Sequence, residues 1–77
     1  MTEQEYIKRR RLLSAKLIEA REKAGLTQKQ VAETKIISQS ELSKLENGSR
    51  KIEFLFLLEL AELYGQSITF FIPYSKE

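Results

Sequence analysis

The sequence contains no cysteine and no histidine. The first absence excludes disulfides and thiolate metal sites. The second removes the commonest general base and the commonest neutral metal ligand. Carboxylates are scattered rather than clustered, so no metal and no cofactor is expected. Ser43 and Lys44 are adjacent, but neighbours on a helix point in different directions and make no nucleophile–base pair, so an enzyme is not the reading. Long apolar runs are also missing. The longest, Phe54 to Leu58, is far short of the ~20 residues a membrane helix needs. The chain opens Thr2-Glu3-Gln4-Glu5, which is not the basic-then-apolar pattern of a secretory signal. These absences leave a cytoplasmic, non-catalytic domain with no membrane partner as the expectation.

What is present is an ordinary globular composition, 42% hydrophobic and 31% charged, in 77 residues. That length holds one domain, residues 1–77, with a core small enough to be marginal. With no disulfide available, association is the remaining means of reinforcement. The net charge of +2 is unevenly spread: from Lys8 to Lys51 there are twelve Lys or Arg against five Asp or Glu. The flanking segments are acidic, and the C-terminal one is also apolar. This asymmetry fits one face for a polyanion and another for a protein, although solvated helix surfaces also carry such charge.

Helix punctuation is frequent. Thr2 with Glu5, Thr27 with Gln30, and Ser38 with Glu41 each have capping-box spacing. Gly25, Gly48 and Gly65 stand where helices should end in a left-handed residue, and Pro73 breaks the last one. The spacing predicts five helices, at about 3–24, 28–34, 39–46, 53–64 and 67–72, with no strand and no internal repeat. The fold class is all-α. In the first helix Tyr6, Leu13, Leu17, Ile18 and Ala24 form an apolar stripe. Its N-terminal half carries Lys8, Arg9, Arg10 and Arg11, where positive charge opposes the helix dipole, so a phosphate-facing role is favoured over local stabilisation.

The second and third helices are short and close together. Leu42 and Leu45 give the third an inward face, and its other face presents Gln39, Ser40, Ser43, Lys44 and, at its end, Asn47. Short hydrogen-bonding side chains with one cation suit base-pair edges in a major groove. Helix, tight turn and helix with such a face form a helix-turn-helix. The stretch Leu17 to Ile72 resembles the phage Cro and cI-type repressors of the XRE family. The resemblance is carried by Glu19-Ala20-Arg21, Gly25-Leu26-Thr27-Gln28, Val31-Ala32-Glu33, Ser38-Gln39-Ser40, Leu42-Ser43-Lys44-Leu45-Glu46-Asn47-Gly48, Leu57-Leu58-Glu59-Leu60-Ala61 and Gly65-Gln66-Ser67. Residues 1–16 then extend the first helix beyond the family pattern.

The resemblance implies a five-helix, phage-repressor-like domain with the helix-turn-helix at helices two and three. It implies that Gln39, Ser40, Ser43 and Lys44 read bases, and that Gln28, Asn47, Arg50 and Lys51 hold backbone phosphates. Arg21 and Glu46 match an internal ion pair of similar proteins. Glu41 is explained by its cap to Ser38 without DNA. Ile36 stands where similar proteins have glycine in the turn and Lys35 where they have leucine. A β-branched residue is costly at positive φ, so a differently built turn is expected. Ile52 and Glu53 replace a common Pro-Ser entry, which weakens the fourth N-cap.

The fourth helix has more apolar residues than a small core requires. Phe54, Leu57, Leu58 and Ala61 are expected to close the core. Phe56, Leu60 and Leu63, with Phe70 and neighbouring Phe71, Ile72 and Tyr74, are expected to form a homodimer interface. The reading is a sequence-specific DNA-binding transcriptional regulator, a dimeric repressor on a palindromic operator in double-stranded DNA. It would be bacterial or phage-encoded and nucleoid-associated, with no small-molecule ligand. The alternative is a protein-interaction module, such as an antitoxin whose C-terminal apolar surface binds a partner protein.

Overall fold

In a computed structural model, residues 1–72 are described. The elements are α1 (Glu3–Lys23), α2 (Gln28–Glu33), α3 (Gln39–Glu46) and α4 (Phe54–Tyr64), followed by a 3-10 turn at Ile68–Phe71. No strand occurs among the described residues. The expected fifth helix is therefore replaced by a single 3-10 turn. Ser67 caps it through the Thr69 amide, and four residues are too few to close consecutive α-helical hydrogen bonds. Pro73 and Tyr74, read above as a helix breaker and as apolar surface, lie outside the described residues.

Local chemistry explains most boundaries. Thr2–Glu5 and Thr27–Gln30 form complete capping boxes at α1 and α2, which satisfy amides that have no intrahelical partner. At α3 only half of the expected box forms. The Ser38 hydroxyl accepts from the Glu41 amide at 3.1 Å, while the Glu41 carboxylate turns to Arg50 at 3.0 Å. As expected from its sequence, Glu53 makes no side-chain cap at α4. The α3 exit is closed by Gly48 at φ +80°. There the Ser49 amide donates to the Lys44 carbonyl and the Gly48 amide to the Leu45 carbonyl, the two bonds of a Schellman motif.

The core is Leu17 and Ala20 of α1, Val31, Ile37, Leu42 and Leu45 of the helix-turn-helix, and Leu60, Ala61, Tyr64 and Phe71 of the C-terminal elements. Leu17, Leu42 and Leu60 have no exposed surface, and such burial contributes about 1.5–3 kcal/mol per side chain. The expected α1 stripe is buried only around its middle. Leu17 is enclosed, Leu13 and Ile18 are partly covered, and Tyr6 and Ala24 are exposed. The N-terminal half of α1, about 31 Å long in all at 1.5 Å per residue, thus leaves the core behind.

The fourth helix faces the core only partly as expected: Leu57 and Ala61 turn inward, but the rest of the assignment differs. Leu60 is fully buried and is core rather than interface, and Phe56, Leu63 and Phe70 pack partly buried against the same core. Phe54 and Leu58, expected inside, are 63% and 38% exposed beside Leu55 at 65%. Two apolar stripes share this helix, and helical periodicity weights both alike. The stripe Leu57, Leu60, Ala61, Tyr64 turns inward, where it joins Leu17 and Phe71 in one cluster.

Candidate nucleic-acid interface

One guanidinium organises the approach of α2 to α3. Arg21, near the end of α1, donates from Nε to Glu46 Oε2 at 2.8 Å and from Nη2 to Glu46 Oε1 at 3.0 Å. Its Nη1 donates to the Leu26 carbonyl at 2.9 Å. The ion pair joins α1 to α3, and the third bond fixes the loop that enters α2. The Glu46 side chain is only 5% exposed, so its charge depends on this partner. The Arg21 pKa is raised, mainly by hydrogen bonding to Glu46, against the opposing effect of its burial. Beneath the pair Tyr64 is buried with no hydrogen bond to its hydroxyl among the described residues. Burial and the charge of Glu46 push that phenol up to about 12.

The turn between α2 and α3 is built without glycine. Thr34 caps α2, its hydroxyl donating to the Val31 carbonyl and accepting from the Ile36 amide. Lys35 takes the left-handed conformation at φ +66°, one residue before the expected position. The shift has a physical reason. The unbranched Lys35 is exposed, whereas Ile36 is β-branched and packs partly buried against the core beside buried Ile37. A left-handed backbone costs roughly 1–2 kcal/mol for a non-glycine residue, and more for a β-branched one.

The outer face of α3 carries the residues expected to read bases. Gln39, Ser40 and Lys44 are exposed and Ser43 is half-buried. None of the four side chains is engaged in a hydrogen bond or ion pair with the described residues. The residues expected to hold phosphate are differently placed. Gln28 donates its amide to Glu46 at 2.9 Å. Asn47 accepts from the Ser49 amide at 2.9 Å and from its hydroxyl. Arg50 pairs with Glu41, both partners well exposed, and such a surface pair contributes about 0–1 kcal/mol. Lys51 is exposed and unpaired among the described residues.

Sequence reasoning gives Ser14 no role and turns Arg10 toward phosphate, whereas both are committed to the backbone of α3's end. Arg10 donates from Nη2 to the Gly48 carbonyl at 2.8 Å, and buried Ser14 donates to the Leu45 carbonyl at 2.8 Å. Both satisfy carbonyls at the C-terminal end of α3, where the helix has no partners of its own. A signal was available, since Arg10, Ser14, Leu17 and Arg21 recur at steps of three and four and define the α1 stripe that faces α3.

A short two-helix unit whose outer helix is clamped from within, with polar side chains left uncommitted outside, defines a helix-turn-helix domain of the DNA-binding class. The helix-turn-helix family model matches residues 17–71, more than two thirds of the chain, and the protein belongs to this XRE-type family of DNA-binding regulators. Comparison with curated proteins and with solved structures gave no match. No helix among the described residues is long and apolar enough to cross a membrane.

Proposed function

We propose that this protein is a sequence-specific transcriptional repressor that acts as a homodimer, each subunit inserting α3 into the major groove of a palindromic operator. One observation carries the reading: Gln39, Ser40, Ser43 and Lys44 occupy one outward face with their hydrogen-bonding groups uncommitted, while the inward face of the same helix is fully engaged. A Gln amide matches the paired donor and acceptor of adenine, and an ammonium donates to guanine acceptors. Gln28, Asn47, Arg50 and Lys51 flank that face as phosphate contacts. Exchanging Glu41 for a phosphate costs Arg50 little, because the existing pair is exposed.

The dimer surface in this reading is the apolar patch on the outside of α4. Phe54, Leu55 and Leu58 are exposed there with Ile72, and a contiguous patch of this kind favours a second copy over solvent. Two-fold association would place two recognition helices about 34 Å apart, one turn of DNA. The same exposed patch supports the second reading, a module that docks a partner protein and uses DNA binding secondarily.

Selection of bound sequences from a random duplex pool at physiological salt tests the proposal. Enrichment of a palindrome with half-sites about one helical turn apart is the expected result. Absence of any enriched motif, with the protein folded, would overturn sequence-specific regulation and leave the partner-docking reading.

A further inference from the structure

The N-terminal half of α1 precedes the family match and carries four consecutive cations, Lys8 to Arg11. The structure sends them in different directions. Arg10 is held by the Gly48 carbonyl. Arg9 borders an apolar groove of about 360 Å³ formed with Phe54 and Ile72, on the side of the α4 patch. Lys8 and Arg11 share another face with Gln4. Arg11 also borders a hollow of about 200 Å³ whose far wall is Asn47 and Gly48, at the end of α3.

We propose that Lys8 and Arg11, with Asn47, form a phosphate track that carries the DNA backbone beyond the stretch covered by the helix-turn-helix itself. The inference rests on the reading that α3 enters the groove. Three observations carry it. Lys8 and Arg11 are exposed and have no ion pair among the described residues, so both charges are uncommitted. Their spacing of three residues puts both on one face of α1, and Arg11 borders the hollow at the end of α3 that Asn47 also lines. The track is also rigidly placed. Arg10 and Ser14 bond the carbonyls that end α3, and the Thr2–Glu5 box keeps the first turn helical. A guanidinium at the inner end can grip a phosphate with two parallel hydrogen bonds.

Equilibrium binding to a 30-base-pair duplex of mixed sequence, titrated from about 50 to 200 mM salt, tests this without knowledge of an operator. The proteins compared are the wild type, the double variant Lys8→Ala/Arg11→Ala, and a charge-matched control, Lys16→Ala/Lys23→Ala, with helical content checked by circular dichroism. Each lost phosphate contact lowers the slope of log K against log salt by about 0.9. The track variant should therefore be shallower by about 1.8, its deficit shrinking roughly tenfold across the titration, while the control keeps the wild-type slope. Equal slopes for the track variant and the wild type, or equal losses in variant and control, would overturn the track. A wild-type protein with no salt-sensitive duplex affinity would overturn the underlying DNA reading as well.

Discussion

The two faces of α3 differ in kind although they share eight residues. On the inner face Leu42 and Leu45 are buried and Glu46 is bonded by both Arg21 and Gln28. On the outer face Gln39, Ser40, Ser43 and Lys44 bond to nothing among the described residues. The division separates holding the helix from what the helix touches, so the outer residues can change without disturbing the fold. It depends on a small number of anchors: one ion pair, two leucines and the α1 side chains that close the end of the helix.

Removing an inner anchor should have the largest effect. Glu46→Ala deletes the acceptor for two Arg21 donors and for Gln28, and leaves a half-buried guanidinium without its carboxylate. Breaking a buried pair from one side costs about 3–5 kcal/mol, comparable with the whole stability of a small domain. Urea denaturation should show the variant largely unfolded or its midpoint far lower, with duplex affinity lost alongside. A loss below about 1 kcal/mol would mean that the clamp is not what fixes α3.

An outer-face change should do the reverse. Lys44→Ala is expected to leave stability within about 0.5 kcal/mol, as exposed substitutions do. Affinity for the selected operator should fall by about 1–3 kcal/mol while affinity for mixed-sequence DNA barely moves. A uniform loss on both duplexes would reassign Lys44 to phosphate, and a fall in stability would show that the two faces are not independent.

The same contrast explains what could be read in the sequence. Signals that span three residues were legible: the Thr2 and Thr27 boxes form because donor and acceptor lie in one turn of chain. Ser38–Glu41 has equal spacing, yet Glu41 pairs with Arg50, nine residues away, and no local rule weighs that competitor. Arg21 and Glu46 follow from the family pattern and not from spacing. Ser14 and the inward role of Arg10 are not legible, because hydrophobic periodicity discounts polar residues on an inward stripe. The orientation of α4 was not legible either. Phe54 to Leu58 is apolar without a break, and what selects its inner face is packing against Leu17 and Phe71, remote in sequence.

The turn between α2 and α3 supplies the smallest and sharpest test, because it joins the anchored side to the exposed one. Lys35 holds a left-handed conformation that glycine adopts without penalty, and its exposed side chain makes no bond to the described residues. Lys35→Gly should therefore relieve strain at the turn, offset in part by the greater freedom glycine has in the unfolded chain. The net expectation is a gain of up to about 1 kcal/mol, read as a higher denaturation midpoint. Ile36→Gly, which places glycine where similar proteins have it, should instead destabilise by roughly 1–3 kcal/mol, since Ile36 packs against the core and its backbone is not left-handed. If the two variants exchange signs, the left-handed residue is Ile36 and the turn follows the family pattern. The expected order would mean that this chain holds the strained position one residue earlier and keeps a β-branched side chain for packing.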